Sequence, residues 1–164
     1  MSGVDTAWLH MDRPANLMQI MGVMTFRRRL TLSALRERVG LLKGLPETVI
    51  AGVLRDRITL MPGGAALVAT MRANGGYAAL VSGGFTAFTG AIAARLGFDE
   101  HRANTLQVDN GRLTGTVAEP ILGRAAKVAA LQEICARLGI GVDQAMAVGD
   151  GANDLGMLGL AGAG

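Results

Sequence analysis

Acidic and small residues are concentrated in one stretch near the end of the chain. Residues 145–157 read Ala-Met-Ala-Val-Gly-Asp-Gly-Ala-Asn-Asp-Leu-Gly-Met. The small or apolar residues 145–148 predict a short buried strand, and the glycines on both sides of Asp150 predict a tight turn, because glycine accepts backbone angles that other residues avoid. A strand, an acidic turn and a helix in this order place Asp150 and Asp154 at the carboxyl end of a strand, where open α/β sheets bind ligands.

The chemistry that these carboxylates offer is metal binding. Asp150 and Asp154 supply hard oxygen ligands, which suit Mg²⁺. Asn153 is expected to cap the helix that follows them. Ordinary turn and capping roles would be the better interpretation of a single Asp-Gly pair, but the pattern Gly-Asp-Gly-x-Asn-Asp after an apolar strand favours a site.

A second stretch has the layout of a phosphate-binding turn. Ser82, Gly83 and Gly84 directly follow the continuous apolar run 77–81, and residues 85–96 read as a helix. The serine hydroxyl and the N–H groups of both glycines can point at an anion, and the amino end of the helix adds a favourable dipole. A plain turn between strand and helix is the alternative.

Two basic residues complete the candidate set. Lys127 falls in the first turn of a predicted helix that ends at Leu138, where the helix dipole disfavours a cation, so a site that neutralises phosphate explains it better than a solvated surface does. Arg38 lies on a predicted helix over residues 32–42, and its planar guanidinium can pair with two oxygens of one carboxylate. A solvated arginine paired with Glu37 or another neighbour is the alternative for Arg38.

The elements that would position these residues are both helices and strands. Apolar runs such as 77–81 are typical of parallel strands covered on both faces, and Asn110-Gly111 between alternating segments predicts a hairpin. The predicted helices are 32–42, 47–54, 62–73, 85–96 and 124–138, and the predicted strands are 18–26, 77–81, 103–109, 112–117 and 145–148. A short buried helix is the alternative for residues 18–26.

Composition excludes several classes of protein. The chain has 164 residues, a net charge of +3 and a single cysteine, so we expect one domain with a real core, no disulfide framework and a cytoplasmic location. The basic run 27–29 has no aromatic interleaving, so nucleic-acid binding is not expected. No run approaches 18 uncharged apolar residues and no signal peptide is recognised, so no membrane association is expected.

Four motifs together resemble one family over residues 33–164. They are residues 35–46, Leu-Arg-Glu-Arg-Val-Gly-Leu-Leu-Lys-Gly-Leu-Pro; residues 80–85, Leu-Val-Ser-Gly-Gly-Phe; Leu-Thr-Gly at 113–115 running on to Lys127; and residues 145–157. In order and spacing they resemble the phosphoserine phosphatases of the haloacid dehalogenase superfamily. The resemblance implies an α/β, three-layer, Rossmann-like core over residues 59–164 with a residual helical cap over residues 32–58.

The resemblance also implies an activity and a set of roles. The family hydrolyses phosphoserine to serine and phosphate with Mg²⁺, a step of serine biosynthesis, so the implied partner is a small phosphomonoester. The implied roles are Arg38 for the substrate carboxylate, Ser82, Gly83 and Asn153 for phosphate, Lys127 for phosphate and catalysis, Asp150 for catalysis and metal, and Asp154 behind the metal ligand. The oligomeric state is left open.

The chain departs from the family at its first motif. The nucleophile signature Asp-x-Asp-x-Thr/Ser is absent, since no two aspartates of the chain are spaced two apart, and the family's last residues beyond Gly164 are missing. Asp5 and Asp12 are the only upstream acids, and neither ends an apolar strand. We therefore expect an impaired phosphatase, with enzymatic activity left open. The alternative is a chimeric, truncated or designed chain with no selected activity.

Residues 1–31 resemble a different family. Val-Asp-Thr-Ala-Trp-Leu at 4–9 and Met-Asp-Arg-Pro-Ala-Asn-Leu-Met at 11–18 are similar to the amino terminus of the bacterial wax ester synthase/diacylglycerol acyltransferases. The catalytic His-His-x-x-x-Asp-Gly signature of that family is absent, so the resemblance implies ancestry and not acyltransferase activity. Residues 18–26 are predicted to occupy the central strand position between 77–81 and 145–148.

Overall fold

The computed structural model describes residues 32–149 and 151–164 of the chain. In chain order its helices and strands are α1 (Leu32–Gly40), α2 (Thr48–Asp56), α3 (Gly64–Ala73), β1 (Ala79–Phe85), α4 (Thr86–Leu96), β2 (Glu100–Asn104), β3 (Leu106–Asp109), β4 (Arg112–Val117), α5 (Arg124–Leu138), the 3₁₀ helix Val142–Gln144 and α6 (Leu155–Leu158). The five predicted helices are present with bounds shifted by at most two residues, and the predicted strand 103–109 is divided between β2, which pairs with β1, and β3, which pairs with β4.

β1 and β2 form a parallel pair, and α4 is the crossover between them. The pairing is irregular, since Val81 is opposite Arg102 but Phe85 is opposite Asn104. Residues 82–84 of β1 therefore face one residue of β2 and form a bulge. The predicted strand 77–81 is wrong in its bounds, because pairing resumes at Phe85 and the extended backbone continues through the bulge.

The hydrophobic core joins helices α1 and α2 to β1, α4 and the β3–β4 hairpin. Leu35 and Val39 on α1 are one helical turn apart and both are buried, as the predicted helical spacing requires. The cluster is formed by Leu35, Val39, Leu42, Ile50, Val53, Ile58, Leu80, Phe85, Phe88, Ile92, Ala93, Leu106 and Leu113. The cluster contains residues from both sides of the predicted boundary between cap and core at residue 58. The division into cap and core stays a prediction.

The predicted hairpin is confirmed at β3 and β4. Asn110 and Gly111 both have positive φ, 48° and 72°, which is the backbone that a two-residue hairpin turn needs. On β4, Gly115 approaches the end of α1 so closely that an added Cβ would lie 2.9 Å from Lys43 Cβ. Glycine at this position lets the hairpin pack directly against α1.

Helix α5 carries a lysine on its buried face. Lys127, Ala130 and Ile134 follow helical spacing and are all buried. Beside this face, Arg102 of β2 donates to both carboxylate oxygens of Glu133 at 2.7 and 3.0 Å. The apolar face and this ion pair fix α5 beside the β1–β2 pair.

The predicted strand over residues 145–148 is wrong in extent. Met146 forms a single parallel bridge with Ala163, and the Ala147 N–H donates to the Ala163 carbonyl at 2.8 Å. With one residue of pairing, the segment is extended but is not a strand, and the described residues show no pairing between it and β1. The predicted strand 18–26 lies outside the described residues. No helix in the described part of the chain is long and apolar enough to cross a membrane.

Asp99, the residue before β2, is bonded to Ala78, the residue before β1. The Ala78 N–H donates to Asp99 Oδ2 and the Asp99 N–H donates to the Ala78 carbonyl, both at 2.8 Å. Arg72 of α3 pairs with the other carboxylate oxygen. The Ala78 N–H and then the Arg72 guanidinium lower the pKa of Asp99, since both favour its charged form.

We expect Asp99→Asn to lower the free energy of unfolding at pH 7 by about 1 kcal/mol, because the amide loses the charge that Arg72 pairs with. A pKa that is lower in the folded state stabilises the protein above the unfolded value near 3.8, and this stabilisation is lost as pH falls through the folded value. Urea unfolding of the two proteins should therefore differ at pH 7 and converge only as the pH falls below 3.8, through the lower folded-state pKa. A difference that grows as pH falls would contradict the assignment. Asp56→Asn is the control, because Asp56 bonds to the adjacent Arg55.

Candidate active site

A buried ion pair lies at the centre of the candidate site. Lys127 Nζ on α5 donates to Asp154 Oδ1, just before α6, at 2.5 Å, and the two side chains are 4% and 0% exposed. An isolated buried charge is expensive, so each of these residues depends on the other. The sequence analysis selected both residues but did not predict that they would be partners.

Asp154 also organises the acidic turn. Its second oxygen, Oδ2, accepts the Gly151 N–H at 2.9 Å. A Cβ added at Gly149 would lie 2.6 Å from Asp154 Cβ, so the carboxylate fills the inside of the turn and glycine is required there. The predicted cap is wrong: Asp154 is the residue that precedes α6, it makes no side-chain capping bond, and Asn153 lies exposed in the turn. Asp150 lies outside the described residues.

Ser82 lies in the bulge of β1 and is 3% exposed. Its Oγ accepts the Gly84 N–H at 3.0 Å, which leaves the hydroxyl proton to be donated to an acceptor. The expectation that the Gly84 N–H points at an anion is wrong, because that group is engaged by Ser82. The hydroxyl is therefore held in one orientation by its own turn.

A buried asparagine, which the sequence analysis missed, links this bulge to the approach of α5. Asn104 is 2% exposed; its Nδ2 donates to the Gly83 carbonyl at 2.9 Å and its Oδ1 accepts the Leu122 N–H at 2.7 Å. The available signal was an asparagine inside a segment predicted to be a strand, since strands are depleted in this residue.

Arg38 is half-buried on α1. Its Nη1 atom is buried and has no hydrogen-bond partner among the described residues. The alternative pairing with Glu37 is not observed there, and it is the neighbouring Arg36 that forms an ion pair, with Glu119 at 2.6 Å. A buried N–H without a partner costs free energy, so a ligand oxygen would satisfy Arg38.

The elements place Ser82, Lys127 and Asp154 in one region, because α5 contacts both β1 and α6. No hydrogen bond within the described ranges connects Arg38 to these three residues. Those ranges also contain no group of three or more His, Cys, Asp or Glu side chains that could hold a metal ion. The arrangement offers a hydroxyl and an ammonium to an anion, with an acidic turn beside them.

The chain belongs to the haloacid dehalogenase-like hydrolase family, whose model matches residues 5–159. The predicted α/β fold class is thereby confirmed. The match includes most of residues 1–31, for which the acyltransferase resemblance stays a prediction.

Its relatives include phosphoserine phosphatases. The phosphoserine phosphatase of Albidiferax ferrireducens is 48% identical over 129 residues, which are 76% of this chain and 54% of that protein. A probable phosphoserine phosphatase of Vibrio cholerae in unliganded form superimposes with a TM-score of 0.77 at 34% identity over 90% of this chain and 45% of that one. A substrate-bound phosphoserine phosphatase complex gives a TM-score of 0.77 at 34% identity over 89% and 69%. This chain spans about half the length of the Albidiferax protein.

We expect Lys127→Met and Asp154→Leu each to lower the free energy of unfolding by about 3–5 kcal/mol, because each leaves the partner's charge buried. The double variant should lose far less than the sum of the two, since it leaves no unpaired charge. Urea unfolding of the four proteins measures this coupling. Arg36→Ala and Glu119→Ala are the control cycle, because that pair is about 60% exposed and should couple far more weakly. Additive losses at Lys127 and Asp154 would contradict a buried ion pair.

Proposed function

We propose that this chain is a phosphoserine phosphatase-like domain that binds phosphomonoesters and hydrolyses them slowly. The observation that carries the proposal is the buried Lys127, oriented by Asp154 at 2.5 Å. The phosphoserine phosphatase relatives support phosphoserine as the ligand and hydrolysis to serine and phosphate as the reaction.

Each side chain has a physical role in this proposal. The Lys127 ammonium offsets charge on the phosphate oxygens, and it does so strongly because it is shielded from water. The Ser82 hydroxyl, fixed by the Gly84 N–H, donates its proton to one oxygen. Gly83 and Asn153 add contacts beside them. Arg38 pairs its guanidinium fork with the substrate carboxylate.

Mg²⁺ is part of the proposal through Asp150. A carboxylate in the acidic turn suits the ion, which when bound would polarise the phosphoryl group. Asp154 does not fit as a direct ligand, because its two oxygens are taken by Lys127 and the Gly151 N–H. Asp154 therefore does not contact the ion but holds the turn that carries the metal ligand. We assign no reaction step to the ion.

The missing Asp-x-Asp motif limits the rate that we propose. Covalent catalysis would need a carboxylate that attacks phosphorus and a second that protonates the leaving serine oxygen. No two aspartates in the 164 residues have the Asp-x-Asp spacing that supplies this pair in the family. Binding groups alone can hold and polarise the ester, so water attacks without a positioned base.

The first experiment measures phosphate binding and turnover. Wild-type protein should bind inorganic phosphate by calorimetry, and Lys127→Ala should weaken this binding by about tenfold or more, because it removes a charged hydrogen bond. Lys43→Ala is a matched control, since Lys43 is the other lysine of the chain and is exposed. Phosphoserine turnover with Mg²⁺ should fall far below the range of about 1–1000 per second that typical enzymes reach.

Three outcomes would contradict parts of the proposal. Absence of phosphate binding by the wild-type protein would favour a chain with no selected activity. Turnover in the ordinary range would mean that a nucleophile is present, and Asp5 and Asp12 would be mutated first. Thermal stabilisation by Mg²⁺ that persists in Asp150→Asn would remove Asp150 as its ligand.

We expect Arg38→Ala to weaken phosphoserine binding by about tenfold or more while leaving inorganic phosphate binding unchanged, because only the former carries a carboxylate. The affinity for phosphoethanolamine, which lacks that carboxylate, should be unchanged in Arg38→Ala, as for inorganic phosphate. Arg36→Ala is the matched control on the same helix. Equal losses for all three ligands would show that Arg38 acts on the fold and not on the carboxylate.

A further inference from the structure

The bulge of β1 leaves a backbone carbonyl without a strand partner, and a side chain bonds it instead. Residues 82–84 face only Ala103 of β2, so the strand ladder is interrupted there. At the bulge the Gly83 carbonyl accepts the Asn104 Nδ2 hydrogen at 2.9 Å. Asn104 is 2% exposed, so this bond is shielded from water.

The same amide group reaches the segment that leads into α5. Asn104 Oδ1 accepts the Leu122 N–H at 2.7 Å, two residues before the helix begins at Arg124 and five residues before Lys127. One side chain therefore bonds the turn that carries Ser82 and the chain that carries Lys127.

A side-chain amide can make both bonds at this place. The Gly83 carbonyl needs a donor and the Leu122 N–H needs an acceptor, and the asparagine side chain offers one of each in a fixed plane. A charged aspartate of the same size accepts from Leu122 but cannot donate to Gly83. A protonated aspartate can do both.

We propose that Asn104 is a positioning residue, whose two bonds set the separation between the Ser82 hydroxyl and the Lys127 ammonium. The inference rests on the proposed function, because it assigns both groups to one phosphate. In this proposal Asn104 does not contact the phosphate itself. It acts through its bonds to the backbone of Gly83 and Leu122. Small displacements of groups that converge on one ligand weaken its binding.

The test compares wild type with Asn104→Asp at two pH values. At pH 8 the variant should bind inorganic phosphate at least about fivefold more weakly, because the charged carboxylate cannot donate to Gly83. At pH 5 its affinity should approach that of wild type at the same pH, since burial raises the pKa of a carboxyl group and the protonated form restores both bonds. Calorimetry measures the affinities, and circular dichroism checks that the proteins are folded.

Asn74→Asp is the matched control, because Asn74 also donates its side-chain N–H to a carbonyl, that of Thr70 at 2.8 Å, at an exposed site. This control should bind phosphate as wild type does at both pH values. If Asn104→Asp does not fold at pH 8, the uncharged Asn104→Ser carries the comparison. Unchanged phosphate affinity in a folded Asn104 variant would overturn the inference.

A second measurement separates this inference from the proposed function. In phosphate-free protein, amide hydrogen exchange of Asn104→Asp at pH 8 should rise in both segments that Asn104 bonds, 82–85 and 122–127, and not in α2. If wild type binds no phosphate, the proposed function fails, and the exchange pattern alone decides whether Asn104 couples the two segments. Unchanged exchange in either segment would overturn that coupling.

Discussion

The rest of the site depends on one constraint, that Lys127 and Asp154 must be buried together. Neither charge can remain in the interior without the other, because desolvation of one ion costs several kcal/mol. The pair therefore fixes where α5 lies relative to the acidic turn. Since Asp154 also binds the Gly151 N–H, the same carboxylate sets the shape of the turn. One interaction thus positions a cation and the loop beside it.

The second half of the site follows from an imperfection in the sheet. A regular β1–β2 pair would use the backbone of residues 82–84 for strand pairing, but the bulge releases part of it. Ser82 and Gly84 then bond each other, and the Gly83 carbonyl turns to Asn104. Ion pairs between β2 and the far half of α5, such as Arg102 with Glu133, keep the helix against this irregular edge. The site is therefore built where regular pairing fails.

Local chemistry explains which features could be predicted from the sequence. The hairpin at Asn110-Gly111 and the helices with apolar spacing follow from neighbouring residues, so their existence is confirmed and their bounds move by a few positions. The prediction of a strand over residues 145–148 was wrong because a strand depends on pairing with another segment. Here Met146 pairs with only one residue. Asn104 was missed for the same reason, since both its partners are distant in sequence. Residue types predicted Lys127 and Asp154, but their contact is a property of the tertiary structure.

The ion pair and Arg38 differ in what they reveal about function. Removing one partner of a buried pair costs about 3–5 kcal/mol, against a total stability of about 5–15 kcal/mol for a domain. Selection for folding alone would therefore retain Lys127 and Asp154 in a chain that had lost its nucleophile. Arg38 is the opposite case, because the partly buried guanidinium has an N–H with no partner among the described residues and so carries a cost to the fold. A ligand oxygen would satisfy this N–H, so Arg38 supports the proposed binding of phosphoserine independently of the ion pair.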